Sequence, residues 1–168
     1  MITIVVGTNR KGSNTQKIAR FYRQLLVDKG VETTFFSLEG IELMHRDAVF
    51  AAIEEDIIIP TTHFIFIVPE YNGSFPGVLK MLFDTSRSHD IWYHKKALLT
   101  GVATGRAGNL RGMDHLADIL NYLKITVHPN KLPISAVNHL LDAEGHIIDA
   151  NTINAINHQI DEFIHWIK

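Results

Sequence analysis

The sequence predicts an α/β fold with a doubly wound parallel sheet, formed by one domain over residues 1–168. Two observations carry this reading. Short apolar, β-branched runs alternate with helical-period segments about five times along the chain. The runs are apolar almost throughout, not at every second residue, as expected of strands covered by helices on both faces. With 168 residues, 46% of them hydrophobic and 20% charged, the chain can fill one core without a disulfide or metal staple.

Each element has its own signature. Ile2–Val6 is a buried strand that ends at Gly7. A hydroxyl-rich turn over residues 8–15 precedes a helix with apolar Ile18, Ala19, Tyr22, Leu25 and Leu26. Ser13 or Asn14 suits its N-cap, and Gly30 closes it. Residues 31–37 read as the second strand and residues 39–46 as irregular. A second helix starts near Asp47, places Phe50, Ile53 and Ile57 on one face, and stops at Pro60. Residues 63–68 form the third strand, residues 69–76 a proline-bounded loop, and residues 77–86 a helix with apolar Val78, Leu79, Leu82 and Phe83, whose stripe of Leu79, Leu82 and Phe83 is either core or a subunit seam. The fourth strand covers residues 96–104. A glycine-bearing loop over 105–112 leads to a helix over 113–123. Residues 125–135 hold a fifth strand interrupted by Pro129 and Pro133, residues 142–145 turn, and residues 152–166 form the last helix.

Composition removes several function classes. The absence of cysteine excludes a disulfide scaffold, a thiol nucleophile and thiolate-bound zinc or iron–sulfur. With 16 basic and 18 acidic residues, a formal charge of −2, no basic field is available for nucleic acid. No apolar run reaches the ~20 residues of a membrane span. The first residues carry no basic export leader, so a cytoplasmic location is expected. His158, Asp161 and His165 share one side of the last helix and read as a solvated face, with a weak surface metal site as the alternative; no resident metal is expected. Residues 54–56 read as a solvated acidic run, and Asp84 with Arg87 as a helix-surface pair.

In open parallel sheets, ligands bind past the carboxyl ends of the strands, where the strand order reverses. The loop after the first strand offers Thr8, Arg10, Ser13, Asn14 and Thr15 at a helix start. Unpaired N–H groups there favour an anion, and Arg10 adds a planar fork for phosphate oxygens. The loop is neither G-x-x-x-x-G-K-[ST] nor G-x-G-x-x-G, and a hydroxyl-rich loop with one Arg suits a terminal monophosphate better than a bridging pyrophosphate. An ordinary capped turn is the alternative. The loop after the third strand, Pro69-Glu70-Tyr71-Asn72-Gly73-Ser74-Phe75-Pro76-Gly77, offers an aromatic surface, amide and hydroxyl groups, and glycines for close backbone approach. That set suits the polar edge of a flat heterocycle. A proline-rich connector with its aromatics packed inward is the alternative.

Together the two loops resemble the NADPH-dependent FMN reductase family, the flavodoxin-like group that includes quinone, azo-dye and chromate reductases. The resemblance rests on Gly7-Thr8-Asn9-Arg10-Lys11-Gly12-Ser13 and, more strongly, on the run from Pro69 to Lys80 followed by Asp84. It implies a five-stranded flavodoxin-like sheet in the order 2-1-3-4-5, with FMN at the switch between strands one and three. Its phosphate contacts fall on Thr8, Arg10, Ser13, Asn14 and Thr15. Its ring contacts fall on Pro69, Glu70, Tyr71, Asn72, Gly73 and Ser74, largely through backbone, and on Thr104 and Gly105 of the third loop. Arg106 either reaches a phosphate or is solvated. The segment from His89 to His94 either overhangs the flavin or packs as a loop or subunit contact.

The resemblance further implies an FMN-dependent NAD(P)H:acceptor oxidoreductase. It works by ping-pong hydride transfer with NADPH or NADH and a small-molecule electron acceptor. No side chain acts as catalytic acid or base, because the cofactor carries the chemistry. A homodimer or homotetramer is implied, with no nucleic-acid or membrane partner. A non-enzymatic flavodoxin-like electron carrier or flavin-binding module is the alternative. Carriers of that kind are strongly acidic, unlike this chain.

Overall fold

The computed structural model describes residues 1–168. Its sheet is parallel throughout, in the order β2-β1-β3-β4-β5, with β6 also paired to β4. The strands are β1 (Ile2–Val6), β2 (Thr33–Ser37), β3 (His63–Pro69), β4 (Lys96–Val102), β5 (Thr126–Val127) and β6 (Leu132–Ile134). The helices are α1 (Asn14–Asp28), α2 (Ala48–Ile53), α3 (Gly77–Thr85), α4 (Leu110–Tyr122) and α5 (Ala150–Ile167).

The unbroken apolar strands are explained by two cores, one on each face of the sheet. Val5, Phe64, Phe66, Val68, Ala97 and Leu99 point to the side covered by α2, α3 and α4. Ile2, Ile4, Val6, Ile65, Ile67 and Leu98 point to the side covered by α1 and α5. The second core also holds a polar tie. Tyr22 Oη donates to Gln159 Oε1 and lies 2.8 Å from Thr100 Oγ1, while Gln159 Nε2 donates to the carbonyls of Leu99 and Asn130. The tie fixes α1 to β4 and α5, and burial raises the Tyr22 phenol so far that it stays protonated.

Four expectations change. The fifth strand is two short strands, so the sheet has 6 strands and not five. After β5 pairs with Lys96 and Ala97, the chain turns at Pro129–Lys131 and β6 pairs beside Thr100–Val102. Pro129 cannot donate to a ladder, whereas Pro133 is tolerated in β6 because that strand is at the sheet's edge. The helix α4 begins at Leu110, so residues 110–112 are helical and not loop.

The second helix starts at Asp47 as expected, with Phe50 N–H donating to Asp47 Oδ1, but it widens into a π turn over Glu54–Ile58. Glu54 is therefore not a solvated charge, being 0% exposed. Its carboxylate accepts from Arg46 Nε at 2.8 Å and from the Arg87 backbone N–H at 2.7 Å. Buried carboxylates need such partners, and this one ties the irregular 39–47 segment to the end of α3. Nor do Asp84 and Arg87 pair with each other: Asp84 takes Lys80, and Arg87 takes Glu55. The 89–94 segment packs. Trp92 is buried against Phe64 and Phe83, and His89 stands edge-on to Tyr122.

Candidate active site

The carboxyl ends of β1, β3 and β4 open onto a cleft of about 300 Å³. It is lined by Arg10, Ser13, Asn14 and Thr15 from the first loop, Pro69, Glu70 and Tyr71 from the second, and Thr104 from the third. These eight are all positions singled out in the sequence. Of the others, Thr8 lies behind the wall, 1% exposed, with its Oγ1 2.8 Å from Tyr71 Oη. Asn72, Gly73 and Ser74 form the tip of a hairpin at the rim. Gly105 is also outside the lining, its carbonyl accepting from Ala136 N–H. Arg106 is exposed and only its backbone carbonyl is engaged, by Ser135 Oγ.

The floor of the first loop is the start of α1. Ser13 is the N-cap, and its hydroxyl oxygen accepts from Gln16 N–H at 3.2 Å. The N–H groups of Asn14 and Thr15, in the first turn, have no intrahelical acceptor and carry the positive end of the helix dipole. Arg10 has neither a carboxylate within 4 Å nor a side-chain hydrogen bond. Its guanidinium lies over the Tyr71 ring, 5.0 Å from the centroid. An uncompensated cation beside free N–H and hydroxyl donors suits a phosphate dianion, so this donor set fits the FMN phosphate.

The second loop is a two-residue hairpin. Tyr71 and Ser74 exchange backbone hydrogen bonds, N–H to O 2.8 Å one way and 3.1 Å the other. Asn72 and Gly73 between them have φ of 52° and 77°. Positive φ at both central residues is what the twist of such a turn requires, and Asn-Gly is the pair that meets it most readily. Gly112 in α4 lets the hairpin approach. A Cβ there would stand 2.7 Å from the Ser74 carbonyl carbon and 2.0 Å from Asn109 Oδ1.

Asn109, buried and with φ of 64°, donates Nδ2 to the carbonyls of Val68 and Pro69, each at 3.0 Å. It holds the end of β3 to the start of α4. Ser74 Oγ meets His115 Nδ1 at 2.9 Å on the outside.

Several lining residues were not singled out. Lys11 and Gly12 belong to the loop already chosen, and Val102 and Ala103 simply end β4. Val137 gave no local signal. It reaches the cleft because its N–H donates to Ala103 O, a contact set by the tertiary fold. A second recess, of about 460 Å³, adjoins across Tyr71 and is lined by Asn9, Ile41, Met44, Val78 and Met81 among others.

A flavodoxin-like sheet with an anion cradle after β1 and an exposed hairpin after β3 defines the class of flavin-binding α/β proteins. The family model for NADPH-dependent FMN reductase matches residues 1–139, so the chain belongs to that family. It is an oxidoreductase that works with FMN and NADH or NADPH on small electron acceptors. It is 32% identical to an NAD(P)H-dependent FMN reductase from Pseudomonas aeruginosa, over 85% of this chain and 82% of the relative. It is 26% identical to a 2-hydroxy-1,4-benzoquinone reductase from a Burkholderia species, over 99% and 96%. Among solved structures, the flavoenzyme FerB from Paracoccus denitrificans, an NAD(P)H:(acceptor) oxidoreductase, superposes with a TM-score of 0.83 at 22% identity. That match covers 99% of this chain and 96% of FerB, and shows the shared fold. No helix is long and apolar enough to cross a membrane.

Proposed function

We propose that residues 1–168 act as one FMN-binding domain that passes electrons from NADPH or NADH to a small planar carbonyl acceptor of the quinone type. Bound FMN supplies the two-electron chemistry; the chain supplies binding, orientation and charge. Arg10, Ser13, Asn14 and Thr15 hold the phosphate, with Thr8 supporting them. The backbone of Pro69, Glu70, Tyr71, Asn72, Gly73 and Ser74, with Thr104 and Gly105, frames the ring. The backbone N–H groups of Asn72 and Gly73 would be available to offset negative charge on a bound flavin.

No acid or base is assigned, so proximity and orientation carry the rate. Donor and acceptor take the open side of the cleft in turn, in a ping-pong cycle. The quinone class is supported by the apolar recess beside Tyr71 and by the benzoquinone-reducing relative. A homodimer or homotetramer is supported by Tyr122, 72% exposed beside a groove between α3 and α4. A cytoplasmic location is part of the same proposal.

The observation that carries the proposal is the uncompensated Arg10 guanidinium at the start of α1. Arg10→Ala should weaken FMN binding by about 1.5–3 kcal/mol, roughly 10- to 150-fold, from the loss of charge-assisted bonds. A fluorescence titration giving the wild-type affinity in that variant would remove the phosphate assignment.

A further inference from the structure

We infer that Tyr71 makes the site select FMN over riboflavin by holding Arg10 for the phosphate, and not by stacking on the flavin ring. The inference rests on the phosphate reading above. Both ends of the Tyr71 side chain are already committed. The ring carries the Arg10 guanidinium at 5.0 Å from its centroid. The hydroxyl lies 2.8 Å from Thr8 Oγ1. Thr8 is buried, and the same oxygen accepts the Arg10 backbone N–H at 3.2 Å. The Tyr71 backbone is pinned by its reciprocal bonds to Ser74.

Thr8, Arg10 and Tyr71 thus form a closed triangle linking the first loop to the second. Within it the guanidinium is oriented by the ring, while no hydrogen bond or ion pair takes its N–H donors. Cation–π contact fixes a planar cation without consuming those donors, which leaves them for phosphate oxygens. A ligand's phosphate is therefore sensitive to Tyr71 through Arg10, whereas its ring is not.

The test compares flavins with and without the phosphate. Wild type, Tyr71→Leu and Tyr71→Phe are titrated with FMN and with riboflavin, following flavin fluorescence, with circular dichroism as the check on folding. Tyr71→Leu should weaken FMN roughly 3- to 30-fold and change riboflavin by less than about twofold. Tyr71→Phe keeps the ring under Arg10 and should retain most of the FMN affinity. In an Arg10→Ala background, Tyr71→Leu should add no further loss for FMN.

Equal losses for both flavins would show the ring stacking on the flavin and overturn the inference. So would no loss for either, or a full additional loss in the Arg10→Ala background. If Tyr71→Leu does not fold, Tyr71→Met, which also removes the ring from under Arg10, asks the same question. It should give a loss confined to FMN, and a loss shared with riboflavin, or none, would overturn the inference. A wild type that binds riboflavin as tightly as FMN is a separate outcome: it removes the phosphate reading, and this inference with it.

Discussion

Replacing Asn109 tests whether the end of β3 is held in the way described. Its amide nitrogen donates to two carbonyls, Val68 and Pro69, in the buried floor beneath the hairpin. Its Oδ1 is buried without a partner, so the side chain carries a cost as well as two bonds. Removing the amide leaves two buried carbonyls short of a donor, at about 1–3 kcal/mol each. Removing the unpaired Oδ1 returns about 1–3 kcal/mol. For Asn109→Gly the net loss is thus about 1–3 kcal/mol. Asn109→Ala must in addition hold a Cβ at φ of 64°, which adds about 1–2 kcal/mol.

Urea unfolding of the two variants, read at equal m-values, gives the stabilities. The alanine variant should be the less stable by that backbone increment, and both should lose FMN affinity because the hairpin sits on this floor. Equal stability of the two variants would refute the left-handed backbone argument. Both within about 0.5 kcal/mol of wild type would refute the bridging role.

Gly112→Ala forces a methyl against Asn109 Oδ1 and the Ser74 backbone, so it should cost about 1–3 kcal/mol by thermal or chemical unfolding and loosen FMN. Lys95 Nζ donates to the carbonyls of Ile58, Ile59 and Thr61, closing the π turn, and burial brings its pKa down to about 8. Lys95→Met should destabilise by about 1–3 kcal/mol in the same assay, since those carbonyls lose their donor. Burial also holds His128 and His63 below the ordinary histidine value, with Lys96 and the N-terminal ammonium adding to the effect at His63. Between the folded and unfolded values the unfolded chain binds more protons, so stability is present above the ordinary value and lost as pH falls below it. Thermal midpoints should fall from pH 7 to pH 5, and less steeply in a His63→Gln/His128→Gln variant. Parallel slopes would contradict this.

Sequence alone disclosed the features that depend on local chemistry. Ile2–Val6 and residues 63–68 and 96–102 are strands because continuous apolar runs have nowhere to go except between two helical layers. Ser13 was readable as a cap candidate beside Asn14, and the start of a helix near Asp47, because side-chain oxygens act on a helix start within a few residues. Features set by distant partners were hidden. Glu54 looks like surface charge until Arg46 and the Arg87 N–H fold around it. Val137 enters the cleft through a bond to Ala103, and the Tyr71 ring is covered by a cation from another loop. The split of the fifth strand was half legible: Pro129 signals a break, but only pairing with β4 makes the second piece, Leu132–Ile134, a strand.

The most direct test of an FMN-dependent reductase is a visible spectrum. The protein is loaded with FMN, desalted, and mixed without oxygen with NADPH and separately with NADH. Retained flavin that bleaches within the mixing experiment, and recovers its colour on adding a benzoquinone, is the expected result. Flavin that fails to saturate the protein in a titration, or that binds and stays oxidised with both nicotinamides, would contradict it.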